Sequence, residues 1–307
     1  MPVASIIIAF VVPALAALVI FIIADRPWRA NRNELEHDQP PGVRHDRTNA
    51  ISLPGAWGGA WATAIGFAIG YWMIEREVML WPDGNLHWLP HAALFAAVLA
   101  QIACLLPKRW RSGWLVRSVL GVLLAGATAV IVRAPQFDDI WTVLLAGSVL
   151  LAWLTVDWCA WRAPGAGLPI VALPAGIGAS LVIMWAGEEQ LARATGNAAA
   201  IAGAGLIVAW WPGRTRPLAT MTGMPAAMTV VLVGPLLMAK AYTFSDIPWL
   251  SYLAPIIAVP AGLWFGEIPF MRRRSPWLTA AARLIAACLV TAIGVYLAWR
   301  VTDTSIY

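Results

Sequence analysis

Charge is scarce in this chain. Only 12% of its 307 residues are Asp, Glu, Lys or Arg, against about a quarter in soluble domains. Hydrophobic residues make up 60%, and the mean hydropathy is +0.71. An ordinary water-soluble domain is thereby excluded. Long polar stretches are missing too. A membrane span takes roughly 20 apolar residues, so about ten spans and their loops fill the length and leave no room for a separate soluble unit. Cysteine is nearly absent: Cys104, Cys159 and Cys288 lie in or at the ends of apolar segments. They are odd in number and lack metal-ligand spacing, so they read as small packing residues. His87 and His91 are four apart, but Pro90 between them spoils a helical metal pair, and His37 and His45 lie in a polar loop as solvated residues. There is no Ser/His/Asp set, phosphate-binding glycine loop or zinc spacing. No metal ligands are expected.

What is present is a series of apolar runs. Spans are expected at 3–24, 52–73, 90–107, 114–134, 141–161, 168–187, 197–213, 217–239, 249–270 and 276–299. The first run lacks a basic leading region and is too long for a signal core, so it reads as a retained span. Several runs begin or end at proline (Pro90, Pro107, Pro217, Pro276), where helices commonly stop or start. Pro174, Pro225, Pro255 and Pro260 fall inside spans, which predicts kinks whose freed carbonyls need partners in the bundle. The fold class is all-α: a polytopic membrane helix bundle of about ten transmembrane helices, one transmembrane domain over 1–307, with 25–51 as its longest loop.

Orientation follows from the basic residues of alternate loops. One side collects Arg26, Arg29, Arg32, Arg44, Arg47, Lys108, Arg109, Arg111, Arg117, Arg162, Arg214, Arg216, Arg272, Arg273 and Arg274. The other has Arg76, Arg133, Arg193, Lys240 and Arg300, together with most of the acids: Glu75, Glu77, Asp83, Asp138, Asp139, Glu188, Glu189, Asp246 and Asp303. The arginine-rich side is expected to be cytoplasmic, with both termini outside. The net charge of +5 then reports topology rather than nucleic-acid binding. Tryptophans near span ends, among them Trp81, Trp88, Trp110, Trp141, Trp161, Trp211, Trp249, Trp277 and Trp299, suit the headgroup layer.

Two features could carry chemistry. The short cytoplasmic loops are strongly basic: Lys108, Arg109 and Arg111, then Arg162, then Arg214 and Arg216, then Arg272 and Arg273. Short loops on one membrane face converge on a small area, and clustered guanidinium groups there suit phosphate, which arginine holds in a two-pronged fork. The same charges also serve topology alone, and both readings stand. Arg283 is the second feature. Nine residues past Arg274, it lies roughly 13 Å deeper on a helix. A charge there costs roughly 2.5–3.5 kcal/mol on insertion scales, which predicts a partner. Asp157, Glu267 and the phosphate of a bound lipid are the candidates.

The stretch RHDRTNAISLPGAWGGA at 44–60, which closes the first polar loop and opens the second apolar run, resembles the first cytoplasmic loop of the polyprenyl-phosphate sugar-1-phosphate transferases. This superfamily includes the phospho-N-acetylmuramoyl-pentapeptide and undecaprenyl-phosphate N-acetylglucosaminyl-1-phosphate transferases. Asp46, Asn49, Ser52, Pro54, Gly58 and Gly59 match its pattern, while Thr48 replaces a proline and Ile51 and Trp57 replace arginines. Where that family has Leu-Leu-Asp-Asp-Arg after its third span, this chain has Leu105-Leu106-Pro107-Lys108-Arg109. After span 5, Asp157, Ala160, Ala163 and Pro164 stand where the family carries its Asn and Asp series, and the Thr220–Gly223 stretch has no acid. The ninth loop keeps arginines without the family's histidines.

The resemblance implies a ten-span scaffold in a bacterial-type cytoplasmic membrane with its site at the cytoplasmic loops. The departures imply that catalysis is degenerate. Those enzymes use Mg²⁺ held by aspartates to bring two anions together, and a hard cation does not settle among Lys108, Arg109 and Ala163. On this reading the chain has no cofactor. It binds a polyprenyl phosphate or anionic headgroup through Lys108, Arg109, Arg111, Arg162, Arg214, Arg216, Arg272, Arg273 and Arg283, or serves as membrane partner of a glycan-assembly enzyme. An active transferase drawing acids from Asp46, Asp157 and Glu267, with Mg²⁺, is one alternative. A small-molecule transporter is another, although no internal repeat is visible.

Overall fold

The structure, a computed structural model, describes residues 8–24, 57–75, 85–105, 114–132, 139–162, 165–210, 223–243, 246–272 and 275–304. Among them there is no strand. Ten long helices run through the described residues: α1 (Ile8–Ala24), α2 (Gly58–Glu75), α3 (Leu89–Leu105), α4 (Trp114–Val132), α5 (Asp139–Arg162), α6 (Gly167–Trp185), α7 (Glu189–Ala209), α8 (Met224–Tyr242), α9 (Trp249–Glu267) and α10 (Pro276–Thr304). Short turns at Asn85–Trp88 and Pro269–Arg272 precede α3 and follow α9. Each helix overlaps one of the ten expected apolar runs. Five of them, α6 to α10, are long and apolar enough to cross a membrane. The protein is a helical membrane protein by the length and composition of these helices.

The apolar runs are helical because lipid offers no partner for backbone N–H and C=O groups, and a helix satisfies them internally. Their ends follow local chemistry. Gly187 takes φ +91° after α6; its N–H donates to Met184 O and that of Glu188 to Ile183 O, a paired closure that turns the chain into α7. Pro276 opens α10 at a position whose N–H has no intrahelical acceptor. Pro225, expected inside a span, instead stands in the first turn of α8, where it breaks nothing. The proline interior to α8 is Pro235.

Helix α8 is the axis of the bundle. Nearly every residue from Met224 to Ala241 is buried, and the helix touches α2 to α7 and α9. It is hydrophobic on every face because every face is covered. Helix α10 is the opposite case, packed on α9 and α6 with most of its length outward. One connected cluster of buried residues extends from Ala17 and Phe21 of α1 to Ala298 of α10.

Close approach is built on small residues rather than on a hydrophobic force, which lipid does not supply between helices. On α2, Gly66 and Gly70 stand one turn apart and receive Ile201 and Asn197 of α7 together with Pro13 of α1. Gly196 of α7 receives the ring of Phe10, and Gly234 of α8 receives Leu89. Helices α9 and α10 approach closely at Gly262, where a Cβ would stand 2.9 Å from the Arg283 carbonyl.

Candidate functional site

The site is assembled where α9 ends, α10 begins and α6 starts. Val171, one turn into α6, packs against Gly262 of α9, so α6 begins near the level of Gly266. The α6 N-terminus has no side-chain cap: Ala166 precedes it and contributes only its carbonyl, to the Ile170 amide. Uncapped amides carry the positive end of the helix dipole.

Arg283 of α10 lies at this junction. A helical side chain leans toward its own N-terminus, and Arg283 accordingly runs from the level of Gly262 toward the Pro276 end of α10. It lies directly on Gly266. A Cβ there would fall 2.7 Å from Arg283 Cγ and 2.9 Å from Cδ, and would overlap Nε outright. The missing side chain is therefore the bed of the arginine. One guanidinium nitrogen, Nη2, donates to Glu267 Oε1 at 2.9 Å, with 12% and 18% of the two side chains exposed. The adjacent Nε is buried without a hydrogen-bond partner. Nε and Nη2 together form the side-on fork of a guanidinium, so Glu267 fills half of it.

Of the two acids expected as partners, Glu267 is the one that meets Arg283; Asp157 is half-buried on α5, five residues before its end. Arg162 closes α5 and Arg272 closes the turn after α9. Asp46, Lys108, Arg109, Arg111, Arg214, Arg216 and Arg273 lie outside the described residues. Among the described side chains, the candidates Arg283 and Glu267 are brought together.

Aromatic pairs flank the junction. Trp158 of α5 stacks on Trp264 of α9 with ring centroids 5.7 Å apart, and Trp210 at the end of α7 stacks on Trp277 of α10 at 5.5 Å. All four rings are exposed at their outer faces, as suits a headgroup layer. Deeper along α5 and α9, Ala152, Val156, Ile256 and Val259 line a small, shallow apolar dimple over Met228 and Leu232 of α8.

Among the described residues, the donors at this junction do not build a magnesium site. Mg²⁺ requires oxygen ligands in near-octahedral array, and the carboxylate of Glu267 is turned onto a guanidinium. Among the described residues no three His, Cys, Asp or Glu side chains gather. At the other end of the bundle, Tyr71 Oη and His87 Nδ1 stand 3.4 Å apart, and His91 Nδ1 faces the His87 carbonyl at 3.3 Å. That His91 nitrogen is directed at backbone rather than at a shared metal position.

No protein-family model, curated protein or solved structure matches the chain.

The sequence reading missed Gly262 and Gly266. Their four-residue spacing within an apolar run was visible, and it is the pattern that lets one helix backbone approach another.

Proposed function

We propose that the protein is a non-catalytic membrane helix bundle that binds a lipid phosphate, such as a polyprenyl phosphate, at its arginine-rich cytoplasmic face. The observation that carries this reading is the half-filled fork of Arg283. It is a permanently charged group at the junction of α6, α9 and α10 with a buried donor, Nε, that has no partner. A phosphate oxygen is the group such a donor recognises best in a low-dielectric setting. The uncapped start of α6 at the same level adds partial positive charge. Arg162 and Arg272 end the neighbouring elements.

The hydrocarbon part of the ligand has surface to meet. The apolar surface between α5 and α9 continues below the Trp158–Trp264 stack, at the depth a lipid tail occupies. The ten-helix arrangement with external termini and a bacterial-type cytoplasmic membrane location belong to this proposal, as does a degenerate relationship to the sugar-1-phosphate transferases.

Lipids extracted from the gently purified protein test the reading. We expect monophosphate lipids to be enriched over their share of the membrane. A lipid profile identical to the bulk membrane would contradict it.

A further inference from the structure

Glu267 holds the position that the ligand's phosphate is proposed to take. Three observations bear on this. The Glu267 carboxylate engages Nη2 through a single oxygen, although two would fill the side-on fork. The second prong, Nε, is buried without a partner. The whole Arg283 side chain rests on Gly266, whose lack of a Cβ makes room for Cγ, Cδ and Nε at that one place. A guanidinium paired through both prongs would leave no donor orphaned, and here one is.

We infer that Glu267 is an internal place-holder: it keeps Arg283 parked on Gly266 when the site is empty, and an incoming phosphate monoester displaces it from the guanidinium. The inference rests on the lipid-phosphate reading above and adds a regulatory residue to it. Carboxylate and phosphate compete for the same fork, and a phosphate brings more oxygens and more charge than one carboxylate oxygen. The exchange needs no chemistry. Arg283 leaves Glu267 and takes the phosphate, while Glu267 turns toward the solvent-accessible end of the helix. Glu267 thereby sets a threshold, since ligand affinity is lowered by the free energy of the contact that must be broken.

The test titrates a short-chain lipid phosphate, and separately inorganic phosphate, into detergent-solubilised wild type, Glu267→Gln, Glu267→Asp and Arg283→Ala. Glu267→Gln keeps the shape and removes the charge, while Glu267→Asp keeps the charge and shortens its reach. The aspartate variant thus preserves the test if the glutamine variant fails to fold. Both are expected to bind the lipid phosphate roughly tenfold tighter than wild type, the size of one charge-assisted hydrogen bond, and Arg283→Ala is expected to lose binding. Tighter binding of inorganic phosphate in the same variants would identify the headgroup alone as sufficient; a response confined to the lipid would assign part of the recognition to the tail. Equal affinity in wild type and both Glu267 variants, with Arg283→Ala still defective, would overturn the place-holder and leave the lipid-phosphate site standing. Binding unaffected by Arg283→Ala, or absent from every variant, would overturn both.

Discussion

The Ser251 carbonyl of α9 lies against Gly294 of α10, where a Cβ would stand 2.9 Å from the oxygen. Pro255, four residues on, has no N–H to offer that carbonyl, so the oxygen is released from the helix ladder. The neighbouring helix meets it with bare backbone. Gly294→Ala forces the helices apart at an atom that cannot rotate away. We expect a loss of about 1–3 kcal/mol, read as a lower unfolding midpoint in a fixed detergent.

Asn197 is fully buried on α7, and neither of its amide atoms meets a hydrogen-bond partner. An unpaired buried amide costs roughly 1–3 kcal/mol, whereas an apolar group of the same shape costs nothing comparable. Asn197→Leu is therefore expected to leave the unfolding midpoint unchanged or raise it. Asn197→Asp, which adds charge beside Gly70 and Pro13, is expected to lower it. A midpoint that falls for leucine and holds for aspartate would show that the amide is satisfied in the folded protein.

Gly178 of α6 faces the Cγ2 methyl of Thr291 on α10 so closely that a Cβ would overlap it. Gly178→Ala should destabilise the α6–α10 contact by about 1–3 kcal/mol. Thr291→Ser removes that methyl and should have little effect alone. The double variant should recover most of the loss, and the non-additivity of thermal midpoints checks the contact directly.

Topology has its own test. Cysteines introduced at Ser112 and at Ser305 of a cysteine-free chain report on opposite sides if the positive loops are cytoplasmic. A membrane-impermeant thiol reagent added to intact cells should label the Ser305 position and spare the Ser112 position. The reverse pattern would invert the bundle and move Arg283 to the outer face.

The helices among the described residues were legible because each apolar run is bounded by proline, glycine or charge, and lipid leaves helix as the structure for such runs. Their arrangement was not. That α8 would be the buried axis and α10 a flank is invisible in sequence, since both are apolar all round and neither carries a polar face to mark the outside. Pro225 was misplaced because the run from 217 to 239 reads as uniformly apolar, while the helix begins only at Met224. At the site, the depth and charge of Arg283 predicted a partner. The choice between Asp157 and Glu267 required knowing which helices touch. Gly262 and Gly266 would have pointed to α9, because a glycine pair one turn apart marks a close helix contact.

The most direct test of the central claim is a pair of native mass spectra, wild type and Arg283→Ala, recorded with co-purifying lipids under identical release conditions. The account predicts a retained lipid monophosphate on the wild type that is missing from the variant, with ordinary phospholipid adducts equal on both. The same lipid adducts on both proteins would contradict it and reduce the arginine-rich face to a determinant of topology.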